Sequence, residues 1–297
     1  MIRESRSDKI FLIVLYIFFG FVTFFCFFPV YNCFVMSLND GADAMKGGIY
    51  FWPRIFSLKN YGFVFSNDNI LNAYVITVTR TVVGVVTSVL FNALFAYALT
   101  RRALKGRRVY VYLCMITMFF SGGMIPTYMT VRAFGLLDNF WVYILLPMSS
   151  FFTVLIFMAF FSEIPSSLPE SAKIDGANEL RIFWRIILPV STPVLATIAL
   201  FQGVYHWNSW YETYVYMSSG NYPTLPYLLM QMINQSVAQQ LLIQKGLGSA
   251  FGGVQGSITA NSIRLATMFA TLIPIMLVYP FVQKYFIKGI MLGAVKE

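Results

Sequence analysis

The sequence predicts an all-α polytopic membrane protein with six transmembrane helices, both termini in the cytoplasm, and a cytoplasmic helix-turn-helix loop between the fourth and fifth spans. Three observations carry this prediction. Only 11% of the 297 residues are charged and 58% are hydrophobic, against about 25% charged in an average soluble domain. The charges gather in short clusters that leave six long apolar stretches between them. Those stretches are continuous rather than alternating, which argues for helices over the strands of a β-barrel. Residues 1–297 read as a single transmembrane domain.

The spans follow in order. No charge falls between Lys9 and Asp40, in Val109 to Val131, in Asn139 to Ser162 or in Leu265 to Gln283. Ile70 to Thr100 holds only Arg80, and Ile186 to Tyr211 only His206. A crossing helix needs about 20 mostly apolar residues, and each stretch reaches or nearly reaches that length. The first run is led by Arg3, Arg6 and Lys9, as a signal peptide is. Its apolar length exceeds the roughly 7–15 residues of a signal core, so a retained span is expected. Breakers fall inside two spans: Ser121-Gly122-Gly123-Met124-Ile125-Pro126 in the third, and Pro274 and Pro280 in the sixth. A transport path and ordinary kinking both account for them.

If the six helices alternate, one side collects Arg3, Arg6 and Lys9; Arg101, Arg102, Lys105, Arg107 and Arg108; Lys173, Arg181 and Arg185; and Lys284, Lys288 and Lys296. The other side receives Lys46, Arg54, Lys59, Arg132 and Lys245. The positive-inside rule puts the first set in the cytoplasm. The net charge of +9 follows from this bias and implies no nucleic-acid partner, since the basic residues flank helices instead of forming one patch. Cys26, Cys33 and Cys114 lie in or near spans and read as packing residues. No metal site is expected, because there is no Cys/His cluster and His206 stands alone.

Two extracytoplasmic segments are long. Residues 40–69 are polar and turn-rich, with Trp52-Pro53 and Asn67-Asp68-Asn69. Residues 212–262 begin with Tyr222-Pro223-Thr224-Leu225-Pro226, continue as a helix over Leu228 to Ile243, and end in a loop carrying Gly246, Gly248, Gly252, Gly253 and Gly256. That loop lacks the Lys-Ser/Thr ending of a phosphate-binding loop.

The most ordered polar stretch is Glu170-Ser171-Ala172-Lys173-Ile174-Asp175-Gly176-Ala177, followed by Ile186-Ile187-Leu188-Pro189. Ser167-Leu168-Pro169-Glu170 reads as a capping box opening a helix from Leu168 to about Asp175. Gly176 permits a bend. A second helix follows, with Leu180, Phe183, Trp184 and Ile187 on one apolar face. From the residues alone, this is an amphipathic element lying along the membrane surface.

Glu170-Ser171-Ala172, three residues, Gly176, nine residues, Ile186, one residue and Leu188-Pro189 resembles the EAA loop of permease subunits of binding-protein-dependent ABC importers. Ile174-Asp175-Gly176-Ala177 resembles the carbohydrate-uptake branch, and the tail from Lys288 to Lys296 resembles the ending of its maltose-type second permease. Phe160-Phe161, Ile164-Pro165, Leu168 and the Gly135-to-Asn139 loop fit the same pattern, so the likeness runs from the second span to the C-terminus. Ser171 stands where the family usually has Ala.

The resemblance implies a permease core over 70–290, a coupling loop over 163–189 and an outer loop over 212–262. It implies a prokaryotic cell membrane, a second homologous permease, two cytoplasmic ATPase subunits that hold ATP and Mg, and an extracytoplasmic binding protein delivering a sugar or oligosaccharide. Glu170, Ser171, Ala172, Asp175, Gly176, Ala177, Leu188 and Pro189 would meet the ATPase, with Asp175 capping the second helix or pairing with a basic partner residue. The chain itself has no G-x-x-x-x-G-K-[ST], so it does not carry the common phosphate-binding loop, and the resemblance implies a transport subunit that holds no cofactor and catalyses no reaction.

For the solute path the candidates are Arg80, Asn208, Trp210, Tyr211 and Glu212, since aromatic faces stack on sugar rings and amides bond hydroxyls. Interfacial anchoring explains the aromatics equally well. Arg80 either faces the bundle or snorkels outward. The glycine-rich loop, Gly246 to Gly256, sits where such permeases reach the binding protein. Three rival readings remain: an importer of a peptide or anion, a secondary transporter, and a membrane enzyme. The Asp-Gly-Ala core speaks against the first. The second would show paired buried acids or inverted repeats, and the third an intramembrane nucleophile and base.

Overall fold

The computed structural model describes residues 6–101, 103–244 and 259–294. Among them there is no β-strand, only one antiparallel bridge between Asn39 and Phe56. The first apolar run is α1 (Arg6–Ser37), 32 residues long, or about 48 Å at 1.5 Å per residue. Its side chains Phe11, Ile17, Phe24 and Phe27 are exposed, as expected of a helix whose solvent is lipid. Two short helices, α2 (Gly41–Ala44) and α3 (Lys59–Ser66), follow in the polar passage. The second apolar run is α4 (Asp68–Thr100), 33 residues without a break.

The third run forms α5 (Arg107–Phe119) and α6 (Met124–Ala133), which meet at 116°. The break is at the expected residues: Gly123 has φ +83°, open to glycine and costly to others. The fourth run is also divided, into α7 (Val142–Leu145) and α8 (Phe151–Glu163). At 13 residues, α8 is about 20 Å long. Next come α9 (Ser167–Ile174), α10 (Glu179–Ile182), a π-helical turn (Phe183–Ile187), α11 (Leu188–Val190) and α12 (Thr192–Asn208). The chain continues through α13 (Tyr211–Tyr216) and α14 (Leu225–Gln244), and ends in α15 (Ala260–Ala294), which contains Pro274 and Pro280. Among the described residues, three helices are long and apolar enough to cross a membrane, within Lys9–Ser37, Asp68–Thr100 and Ala260–Val278. The number rises to six if each of three bent pairs makes one crossing.

Packing divides the chain into two units. One comprises Met1–Asp68 with Gln231–Ile273. Its small apolar cluster joins Val35, Ala44 and Ile49, and a polar knot ties the passage after α1. There, buried Asn60 donates to the carbonyls of Ser37 and Asn39, and Asn39 holds both the Ile55 N–H and the Asp43 carboxylate. The other unit comprises Asn69–Met230 with Pro274–Glu297. Its main core joins Ala93, Ala96 and Leu99 of α4, Val154 and Phe157 of α8, Ile182, Phe183 and Ile187, and Ile198 of α12.

Asn92 explains how the fourth run tolerates its non-helical stretch. Fully buried in α4, it donates to the Met148 carbonyl at 2.9 Å and accepts from the Ser150 N–H at 3.1 Å. Backbone that leaves a helix at membrane depth needs such internal partners.

Candidate functional site

The EAA-like segment is built as two arms around one turn. At the end of α8 the chain bends by 76° into α9. Ser166 is the N-cap and makes no side-chain capping bond. The capping box expected at Ser167–Glu170 therefore does not form: the helix begins one residue early and takes Ser167 inside. At the other end the Gly176 N–H donates to the Lys173 carbonyl at 3.0 Å and the Ala177 N–H to the Ala172 carbonyl at 2.9 Å. These paired bonds are a Schellman turn, and they hold Gly176 at φ +78°.

Asn178 caps the second arm, its Oδ1 accepting from the Arg181 N–H at 2.8 Å. Asp175 is instead the C-cap of α9 and does not cap the second arm. The π-helical turn changes which side chains face inward. Ile182, Phe183 and Ile187 are buried, whereas Leu180 and Trp184 are 59% and 53% exposed. The expected face of Leu180, Phe183, Trp184 and Ile187 is thus half correct, since an extra residue in the turn shifts the helical phase.

The outer side of this segment is polar. Glu170, Ser171, Asp175, Gly176 and Pro189 are exposed, Ala172 and Ala177 are half-buried against the core, and Leu188 is buried. Glu179, which belongs to no sequence motif, lies at the centre of the polar contacts. Its Oε1 is 2.6 Å from Lys173 Nζ, its Oε2 accepts from the Tyr97 hydroxyl at 2.6 Å, and Arg101 Nε lies 3.7 Å from Oε2. Burial raises the Glu179 pKa, but the bonds from Lys173 and Tyr97 and the Arg101 charge outweigh it and hold the carboxyl below its ordinary range. The Arg101 guanidinium also sits 3.9 Å from the centre of the Tyr97 ring. A cavity of about 500 Å³ beside these groups is lined by Arg101, Arg107, Pro169, Glu170, Lys173 and Glu179, among others. No helical spacing links Lys173 to Glu179, because the Gly176 turn lies between them.

The second candidate group divides. Arg80 of α4 and Glu212 of α13 are both buried and form an ion pair at 3.0 Å. Arg80 also donates to the Ser209 carbonyl at 3.1 Å and lies over the Tyr143 ring. The remaining Glu212 oxygen accepts from the Tyr205 hydroxyl at 2.6 Å, and Ser209 Oγ donates to Oε2. Arg80 therefore faces the bundle and does not snorkel. Asn208, Trp210 and Tyr211 are exposed. Trp210 stands edge-on to Tyr211 and Tyr214, with ring centres 6.3 and 6.0 Å apart. The sequence does not predict the partnership of Arg80 with Glu212, and only the unusual placement of two charges in apolar sequence hints at it. Gly246, Gly248, Gly252, Gly253 and Gly256 lie outside the described residues.

No family model matches the chain. It is 38% identical over 291 residues to the polygalacturonan/rhamnogalacturonan transport system permease protein YtcP of Bacillus subtilis (strain 168), covering 98% of this chain and 99% of that one. A chain in the crystal structure of a bacterial ABC transporter involved in the import of the acidic polysaccharide alginate superposes with a TM-score of 0.84 at 31% identity, covering 96% of this chain and all of that one. A chain in the alginate transporter in complex with alginate pentasaccharide-bound periplasmic protein matches with a TM-score of 0.56 at 14% identity, a likeness of fold alone.

Proposed function

The chain belongs to the membrane permeases of carbohydrate-importing ABC transporters, and on that footing we propose that it forms half of a path for an acidic oligosaccharide handed over by an extracytoplasmic binding protein. The observation that carries the solute class is the nearly full-length match to a permease named for polygalacturonan and rhamnogalacturonan. The 31% identity to a chain from an alginate importer points the same way, since both polymers carry uronic carboxylates. The other half of the path is a second permease, and the two cytoplasmic ATPase subunits bind ATP and Mg. The protein sits in the cell membrane with six crossings and both termini inside, as its basic residues favour.

On this reading the segment 163–189 is the joint. Glu170, Ser171, Asp175 and exposed Pro189 meet the ATPase, the Gly176–Ala177 turn fixes the angle between the arms, and Ala172 and Leu188 seat the loop on the spans. ATP-driven closure draws the loops of the two permeases together, and contacts that differ between the two states turn the path from inward- to outward-facing. Solute contacts fall on exposed Trp210, Tyr211 and Asn208. The buried Arg80–Glu212 pair supports them from behind.

Proteoliposomes holding the two permeases and both ATPases, with the binding protein outside, test the solute class. ATP-dependent uptake of an oligogalacturonate, well above that of a neutral oligosaccharide of equal length, is expected. Uptake of the neutral sugar alone would overturn the solute class, and uptake independent of ATP would overturn the importer.

A further inference from the structure

We propose that Glu179 is the positioning residue that fastens both arms of the coupling loop to the end of α4, so that movement of the loop drives that helix. The inference rests on the coupling role proposed above for 163–189. It begins from a weakness of α9. Among its eight residues only Pro169 is buried, so apolar packing alone holds this helix poorly. It is joined to the second arm through the fixed Gly176 turn and to α8 through the 76° bend, which leaves that bend as the place where the loop is free to tilt.

Glu179 removes that freedom. One oxygen takes the Lys173 ammonium of α9 at 2.6 Å, and the other takes the hydroxyl of Tyr97 in α4 at 2.6 Å. Tyr97 is itself fixed. It is 4% exposed, its ring lies 5.2 Å from that of Phe183, and Arg101 stacks on it. A push at exposed Glu170 thus passes one turn along α9 to Lys173, then through Glu179 to Tyr97 and the last turn of α4. The Lys173–Glu179 pair is half exposed and contributes little by itself. The short bond from a buried hydroxyl to a carboxylate is the stronger link. Apolar contacts from Phe183 and Ile187 hold the second arm to the core, and from α9 only half-buried Ala172 joins the partly buried residues packed against that cluster.

The test uses the whole transporter, with both permeases, both ATPases and the binding protein, and reads solute moved per ATP hydrolysed. Glu179→Gln is expected to lower that ratio about ten-fold, equivalent to losing a hydrogen bond to a charged group, while the ATPases still co-purify. Tyr97→Phe is expected to lower it in the same direction, and the double variant no further than Glu179→Gln alone, because both remove one link. Should Glu179→Gln fail to assemble, the ratio in Tyr97→Phe decides alone. An unchanged ratio in Tyr97→Phe, or strictly additive losses, overturns the inference. Glu170→Lys is the control. If it abolishes uptake while Glu179→Gln and Tyr97→Phe transport normally, only the role of Glu179 falls. If Glu170→Lys transports normally too, the coupling loop itself falls.

Discussion

Arg80 and Glu212 stand 132 positions apart in sequence and 3.0 Å apart in space, with 0% and 4% of their side chains exposed. Removing one partner of such a pair strands a charge in apolar surroundings, at a cost of about 3–5 kcal/mol. Arg80→Met and Glu212→Leu should each sharply lower the yield of monodisperse protein after mild heating in detergent. The double variant should recover most of it, because no charge is then left alone. Equal loss in the double and single variants would contradict an ion pair.

Asn92 makes a similar case with neutral groups. Its amide serves the Met148 carbonyl and the Ser150 N–H where the chain leaves helical geometry. Asn92→Ala leaves both without that partner, at about 1–3 kcal/mol for each buried group. Hydrogen exchange at Ser150 should accelerate in Asn92→Ala, and unchanged exchange would show that another group holds the break.

Gly84 sits against the buried imidazole of His206. A Cβ at that position would come within 2.4 Å of the ring, so Gly84→Ala overpacks the contact between α4 and α12, at about 1–3 kcal/mol. The loss should appear as a lower melting temperature in detergent, and His206→Ala in the same chain should relieve it. Among the described residues neither ring nitrogen of His206 has a hydrogen-bond partner, so its removal breaks no such bond there.

Asp138 is a latch outside the spans. Its carboxylate takes the Ser219 N–H at 2.7 Å and the hydroxyls of Ser219 and Ser218 at 2.7 and 2.8 Å. These bonds, the Ser219 N–H first, hold its pKa below the ordinary 3.8. The folded carboxylate binds its proton less readily than the unfolded one, so the latch contributes fully above the ordinary value and is lost as the pH falls through the lower folded one. Protection of the Ser219 amide from exchange should hold from about pH 7 to 5, decline in stronger acid, and vanish at every pH in Asp138→Ala.

Much of this protein is legible in its sequence. The ends of α1 and α4 follow from where charges stop and start, and the break between α5 and α6 follows from Gly122, Gly123 and Pro126. The Gly176 turn follows from the one residue that accepts a left-handed backbone there. What is hidden depends on packing across the chain. Asn92 is one polar residue among many in α4 until the 146–150 stretch lies beside it. Glu179 looks like an ordinary surface carboxylate until Tyr97, 82 positions earlier, lies against it. The π-helical turn exposes Trp184 and buries Ile182 because hydrophobic spacing assumes 3.6 residues per turn, and this turn has more. The cap falls on Ser166 and not Ser167, as neighbouring serines leave sequence no means of choosing.

The loop through Glu170 and Gly176 is proposed to carry ATPase movement into the spans, and ATP-driven uptake into proteoliposomes by Glu170→Lys and Gly176→Pro tests this most directly. A left-handed Gly176 at φ +78° is closed to proline, whose ring holds φ near −65°. Both variants should insert into the membrane as the parent does and take up no solute. Uptake at the parental rate by both would contradict the coupling role.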